Sequence, residues 1–141
     1  MKIDRIYFVS LLIVLASCAT APTRLVEPPA APGSAQPNLA LGGDGSVYLS
    51  WIETSGEDHA LRFSSWQGDA WSPARTIAAG RDWFVNWADF PSVAASKDGT
   101  LAAHWLVRNG PGTYAYGVRL ATSRDGGSTW SDPLTDRKSV V

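Results

Sequence analysis

The sequence predicts an all-β fold made of two four-stranded antiparallel units, and three observations predict it. First, the 141 residues carry seven Trp, 13 Gly and 9 Pro against one Met and one Cys, a composition that suits short strands joined by tight turns. Second, the chain repeats itself. Pro37, Asp44-Gly45 and Trp51 recur as Pro91, Asp98-Gly99 and Trp105 at an offset of 54 (91 − 37), and Leu61, Ser64, Gly68 and Trp71 recur as Leu120, Ser123, Gly127 and Trp130 at an offset of 59 (130 − 71). Third, the apolar runs between turn-formers are too short and too β-rich for helices.

The chain opens on an address. Lys2 and Arg5 precede an apolar run over residues 6–14, and Leu15-Ala16-Ser17-Cys18 follows. A charged start, an apolar run too short to cross a bilayer and small residues before a cut site read as an export signal, with residues 1–17 forming the signal helix. Cys18 is the only cysteine, and a lone thiol in an exported chain has no internal disulfide partner. Residues 15–18 resemble the lipobox of bacterial lipoproteins. That resemblance implies acylation of the Cys18 thiol, anchorage in the bacterial cell envelope and, with Ala19 next, sorting to the outer membrane. Residues 18–36 then hold Pro22, Pro28, Pro29 and Pro32 among Ala, Thr and Ser. Such a stretch buries too little apolar surface to offset chain ordering, and it reads as a disordered, extended tether.

Residues 37–134 contain the two units, 37–77 and 91–134, joined by a Trp-rich connection at 78–90. In the first, strands are expected at 38–41, 47–52, 60–65 and 71–77; in the second, at 92–95, 101–107, 113–123 and 130–134. Asp44-Gly45 and Asp98-Gly99 mark hairpins, because Gly adopts the positive φ of a tight turn. A repeat of about 50 residues built from four short strands is the sequence form of a propeller blade. The fold class is therefore a partial β-propeller. Residues 135–141, which include Asp136-Arg137-Lys138-Ser139-Val140-Val141, match nothing in the first copy and read as a non-native tail.

Ser123-Arg124-Asp125-Gly126-Gly127-Ser128-Thr129-Trp130 fits the pattern S-x-D-x-G-x-T-W at every fixed position. It resembles the Asp-box of bacterial neuraminidase repeats, found in sialidases and in several other propeller proteins. Ser123, Asp125, Gly127, Thr129 and Trp130 are expected to be structural. Asp125 accepts turn amides, Gly127 supplies an unusual dihedral and Trp130 buries a large ring. Residues 64–71 keep Ser, Gly and Trp but hold Trp66 and Ala70 in place of Asp and Thr, so they read as a degenerate copy. The resemblance implies an exo-α-sialidase-like glycosidase, a class that pairs a Tyr nucleophile with a Glu, uses an Asp as acid/base and clamps a carboxylate with three Arg. The early Phe/Tyr-Arg-Ile-Pro motif of that class is absent here. A six-bladed ring at about 50 residues per blade exceeds what residues 37–134 supply, so the chain is expected to be a fragment, inactive alone.

Strand alternation predicts where chemistry would sit. The second-to-third turns and the connection between units share one end of the sheets, opposite the 123–130 turn. On that end fall residues 53–59, 108–112 and the connection, in which Arg81, Asp82, Trp83, Asn86, Trp87 and Asp89 stand close together. Asp89 and Asp82 are candidates for the general acid; Arg81, Trp83, Asn86 and Trp87 are candidates for substrate binding. Aromatic faces stack on sugar rings, and Arg pairs bidentately with a carboxylate. The alternative is that Trp83, Phe84 and Trp87 fill the gap between units. His104, inside a strand beside Trp105, reads as packed or hydrogen-bonded.

Several classes are excluded. A net charge of −1 with no basic run gives no footprint for nucleic acid. One Cys and two separated His make no metal site, and no cofactor is expected. The expected partners are a glycan substrate or ligand and, through Cys18, the membrane. The rival to an enzyme is a non-catalytic surface propeller that binds glycans or proteins, or a chain that does nothing by itself and exposes open sheet edges.

Overall fold

The computed structural model describes residues 23–136. The export signal and Cys18, together with residues 137–141, lie outside the described residues. The described chain is all β. Strands β1 (Ala35–Leu41), β2 (Val47–Ser55), β3 (Asp58–Ser65) and β4 (Arg75–Gly80) form one antiparallel sheet in the order β1-β2-β3-β4. Strands β5 (Ser92–Ala95), β6 (Leu101–Arg108), β7 (Tyr116–Ser123) and β8 (Leu134–Thr135) form the second, in the order β5-β6-β7-β8. Both Asp-Gly hairpins form as the sequence predicts. Gly45 and Gly99 take φ of 86° and 82°, and Asp44 accepts from the Ser46 amide at 2.9 Å as Asp98 does from that of Thr100 at 3.1 Å.

The fourth strand of each sheet begins later than the sequence suggests, whereas β1 begins earlier, at Ala35, within the stretch read as a disordered tether. Trp71 does not open β4; it lies in an isolated bridge with Trp66, and β4 starts at Arg75. Trp130 likewise precedes β8, which spans only Leu134–Thr135. Pro73 and Pro133 stand just ahead of both strands, and a residue with no amide hydrogen cannot donate to a ladder. At the other boundary, β7 starts at Tyr116 and not at residue 113, since Gly112 O accepts from the Ala115 amide at 3.1 Å to close a turn.

The repeat also has a different register from the one the sequence alignment implies. Tyr48 pairs with Ser65, whereas its counterpart Ala102 pairs with Thr122, so the third strands correspond at an offset of 57 (122 − 65). The Ser72 amide donates to Ser65 O and the Ser131 amide to Thr122 O, both at 2.8 Å. The first loop, residues 66–71, is therefore two residues shorter than the second, residues 123–130. What reads as a degenerate copy is a tighter turn of its own, closed by the Gln67 amide on Ala70 O at 2.8 Å.

The core lies between the sheets. Ile52, Leu61, Phe63 and Ile77 of the first pack with Val93, Leu101, Ala103, Trp105 and Ala121 of the second, with Trp83 from the connection among them. The 123–130 loop locks this seam. The Ser123 hydroxyl donates to Asp125 Oδ1 at 2.7 Å and accepts the Gly127 amide at 2.8 Å. Thr129 donates to Asp125 through its amide at 2.9 Å and its hydroxyl at 2.6 Å. Thus shaped, the loop closes over Phe63. An added Cβ at Gly127 would come within 2.2 Å of the Phe63 ring. Trp130 meets the same ring edge-on at 5.8 Å, the Arg75 guanidinium lies 4.7 Å from its centroid, and Arg75 Nη2 donates to Gly126 O at 2.7 Å.

The far face of the first sheet is covered too. Leu49 and Trp51 alternate with the core-facing Ile52 and point the other way, yet they are only 8% and 1% exposed. Pro28, Ala30 and Ser34, from the stretch read as a tether, border a cavity of about 360 Å³ over them. Arg24 Nη2 also donates to Asp69 O at 3.0 Å.

The loop geometry sets two expectations for stability. Gly127→Ala meets both a φ of 84° and the Phe63 ring and is expected to cost about 2–4 kcal/mol, against about 1 kcal/mol for Gly126→Ala, which has only the backbone strain. Urea unfolding of the two variants measures the difference. Asp125 is held well below the usual carboxylate range by the Thr129 hydroxyl, the Thr129 amide and the Ser123 hydroxyl. Its contribution is complete above the unfolded carboxyl value of about 3.9 and is lost as pH falls through the lower folded value. Asp125→Asn should therefore unfold at lower urea than the parent at neutral pH, with the gap closing on acidification below about pH 4.

Candidate functional site

The antiparallel order fixes two ends. The 42–46, 66–74, 96–100 and 124–133 turns share the lower end; residues 56–57, 81–91 and 109–115 share the upper end. Contacts across the sheets agree with this division. Gly43 abuts Lys97 and Arg75 reaches Gly126 at the lower end, while Arg81 pairs with Asp58 at the upper end.

The connection is pinned along its first half. Asp82 takes a φ of 59°, a left-handed conformation that Asp tolerates better than most residues. Its carbonyl accepts the Arg108 amide at 2.7 Å, and the Phe84 amide donates to Leu106 O at 3.0 Å. Trp83, at 6% exposure, is stacked between His59 at 6.2 Å and Trp105 at 5.8 Å. Phe84 stacks on Tyr116 at 4.2 Å with the Arg108 guanidinium 5.2 Å from its ring. Trp83 and Phe84 thus belong to the packing between and over the sheets.

The second half is a polar turn. Asn86 Oδ1 accepts the amides of Ala88 at 2.6 Å and Asp89 at 3.0 Å, and Asn86 Nδ2 donates to Asp89 Oδ2 at 2.7 Å. Between them Trp87 projects into solvent, 84% exposed. Pro91, fully buried, anchors the far side.

Arg81 is engaged. Its Nε lies 2.8 Å from Asp58 Oδ1, and Glu57 Oε2 is 3.8 Å from Nη1. The hydrogen bond from Arg81 and its positive charge hold the Asp58 carboxyl below the ordinary range, and the same bond with the Asp58 negative charge pushes the Arg81 guanidinium up. Gly56, Glu57, His59, Arg81, Asp82, Trp83 and Arg108 line an open cavity of about 400 Å³. Beside it Asp58 and His59, with Glu53, Thr54 and residues 31–34, border another of about 350 Å³. His59 Nδ1 shares a hydrogen bond with Thr54 Oγ1 at 3.0 Å; His104 is bonded to Ser92 Oγ at 3.1 Å, as its strand position suggests.

The structure thus brings Arg81, Asp82 and the edge of Trp83 to one cavity and sets Asn86, Trp87 and Asp89 on a separate exposed turn. Residues 53–59 and 108–112 stand at this end as strand alternation predicts, and from them Glu57, His59 and Arg108 join Arg81 and Asp82 at the cavity. Arg108 carried a signal in the sequence, a charge at the end of an apolar strand just before Asn109-Gly110. Among the described residues no group of three or more His, Cys, Asp or Glu is arranged to hold a metal ion.

The Hadza microbial sialidase Hz136 superposes with a TM-score of 0.51 at 19% identity, over 72% of this chain and 25% of that one. The fold is sialidase-like. Two four-stranded sheets packed face to face are accordingly propeller-like, and the chain spans about a quarter of the length of the structure it matches. No family model and no curated protein matches the sequence.

Two aromatic residues four positions apart should behave oppositely. Trp83→Ala removes a ring sandwiched in the core and is expected to cost about 3–5 kcal/mol, whereas Trp87→Ala should stay within about 0.5 kcal/mol of the parent. Denaturant midpoints with tryptophan-independent detection, such as far-ultraviolet dichroism, check both.

Proposed function

We propose that the protein acts on glycans at the cell surface as an exo-α-sialidase-like glycosidase, with the upper end of the sheets forming part of its substrate site. The observation that carries this is the convergence of Arg81, Asp82, His59 and Arg108 on one open cavity, with an exposed Trp87 on the same end. The likeness of the fold to a microbial sialidase supports it. So does the Ser123–Trp130 sequence, read as an Asp-box whose hydrogen bonds shape a turn at the opposite end. Two sheets are too few to enclose a sugar, so turnover is assigned to the whole protein, with the nucleophile and carboxylate clamp supplied by further blades. Cys18 is proposed as the site of a lipid anchor that holds the protein on the cell envelope.

In this scheme Asp82 is the better-placed candidate acid. Asp82 lines the cavity, whereas the carboxyl of Asp89 is engaged by Asn86 on the exposed turn. A second reading has its own support. Arg81 is already paired with Asp58 and Glu57, an arrangement that suits a rigid glycan-binding surface without chemistry.

Kinetics on a fluorogenic sialoside separate the two. For an enzyme, Asp82→Asn in the whole protein should lower kcat by about 10²-fold or more, and Trp87→Ala should raise KM with kcat kept. Saturable glycan binding with no turnover by the parent protein would leave the non-catalytic reading in its place.

A further inference from the structure

The proline-rich segment has a direction. It starts at the lower end, where Arg24 donates to Asp69 O in the 66–74 turn. It finishes at the upper end, where residues 31–34 border the cavity lined by Asp58 and His59. Between these points Pro28 and Ala30 lie over Leu49 and Trp51 on the far face of the first sheet. The lengths agree. The eight residues of β3 rise about 26 Å at about 3.3 Å each, and the stretch from Arg24 to Gly33, extended at about 3.1 Å per residue, covers about 30 Å. A turn at its upper limit, closed by the Ser34 amide on Ala31 O at 3.1 Å with Gly33 at a φ of 83°, then feeds β1.

Cys18 precedes Arg24 by six residues (24 − 18), a stretch that reaches about 20 Å at most. Its thiol is therefore confined to the neighbourhood of the lower end while the segment stays in place. We infer that a lipid-anchored Cys18 holds the protein with its lower end, the end of the 123–130 loop, against the bilayer surface, and presents the upper end away from the membrane. The inference rests on the lipid-anchor reading of Cys18. Turning the molecule over would require the segment to peel away. That would break the Arg24 bond and uncover Trp51, a side chain that is 1% exposed. The lower end carries charge of both signs. Lys97 and Arg124 border an open hollow there, and cations near a bilayer are drawn to lipid phosphate. Of the acidic groups at this end, Asp44, Asp98 and Asp125 bond to Ser46, Thr100 and Thr129, while Asp69 and Asp132 are exposed in the 66–74 and 124–133 turns, so the reach of the segment and not charge carries the orientation. The orientation sets the candidate glycan site about one strand length further from the membrane than the 123–130 loop.

Depth-dependent quenching tests this on the full-length lipidated protein in phosphatidylcholine vesicles with a quencher attached to the headgroups. Acylation consumes the only native thiol, so single cysteines introduced by Arg124→Cys at the lower end and Tyr114→Cys at the upper end take the fluorophore alone. Quenching several-fold stronger at residue 124 than at residue 114 is expected. Equal quenching, or stronger quenching at residue 114, overturns the orientation while leaving the anchor intact. Failure of the protein to float with vesicles overturns the anchor and the inference together. Replacing residues 24–34 with Gly and Ser of the same length should abolish the difference between the labels; its persistence would show that the segment does not set the orientation.

Discussion

The two sheets are held in one arrangement by the seat that Phe63 finds beneath residue 127. The ring is fully buried, closed above by a backbone that leaves no room for a side chain, met edge-on by Trp130 and capped by Arg75. Aromatic rings bury large areas and weigh heavily in such packing. The seat exists only because a polar turn keeps its shape. Asp125, bonded to Ser123 and Thr129, folds the 123–130 loop so that two consecutive glycines, with φ of 68° and 84°, lie over the neighbouring sheet. A hydrogen-bond network that faces solvent thereby fixes an apolar interface.

The first sheet lacks that network and closes its corresponding turn by other means. Residues 66–71 form a shorter turn with Trp66 and Trp71 packed edge-on at 5.2 Å. The buried Ser64 hydroxyl bonds there to Ser72 O at 2.6 Å. The same position in the repeat thus supports two kinds of closure. On the far face of this sheet it is the proline-rich segment, and not another sheet, that covers Leu49 and Trp51 in the described structure.

Much of this was legible in the sequence because it is local. The eight strands, their antiparallel order and both Asp-Gly hairpins follow from periodicity and turn chemistry, and the structural parts of Ser123, Asp125 and Thr129 follow from a motif whose hydrogen bonds lie within eight residues. Register was not legible. Ser64 and Ser123 align in sequence, yet pairing sets Ser65 against Tyr48 and Thr122 against Ala102, a choice made by tertiary packing. The site was legible only as a region. Trp83 and Trp87 look alike in sequence, but one is stacked between His59 and Trp105 and the other stands in solvent; Arg81, a candidate for substrate binding, is paired with Asp58. Such distinctions depend on partners 22 to 24 residues away (105 − 83; 83 − 59).

The central claim is that Phe63 and the 123–130 loop join the two sheets into one cooperative unit. Native-state amide hydrogen exchange on the full chain tests it most directly, since each amide reports the free energy of the opening that exposes it. Central amides of β2 and β3 and those of β6 and β7 should exchange through openings of the same free energy and the same denaturant dependence. Exchange of one sheet through a separate opening of lower free energy, with the other still protected, would contradict the account.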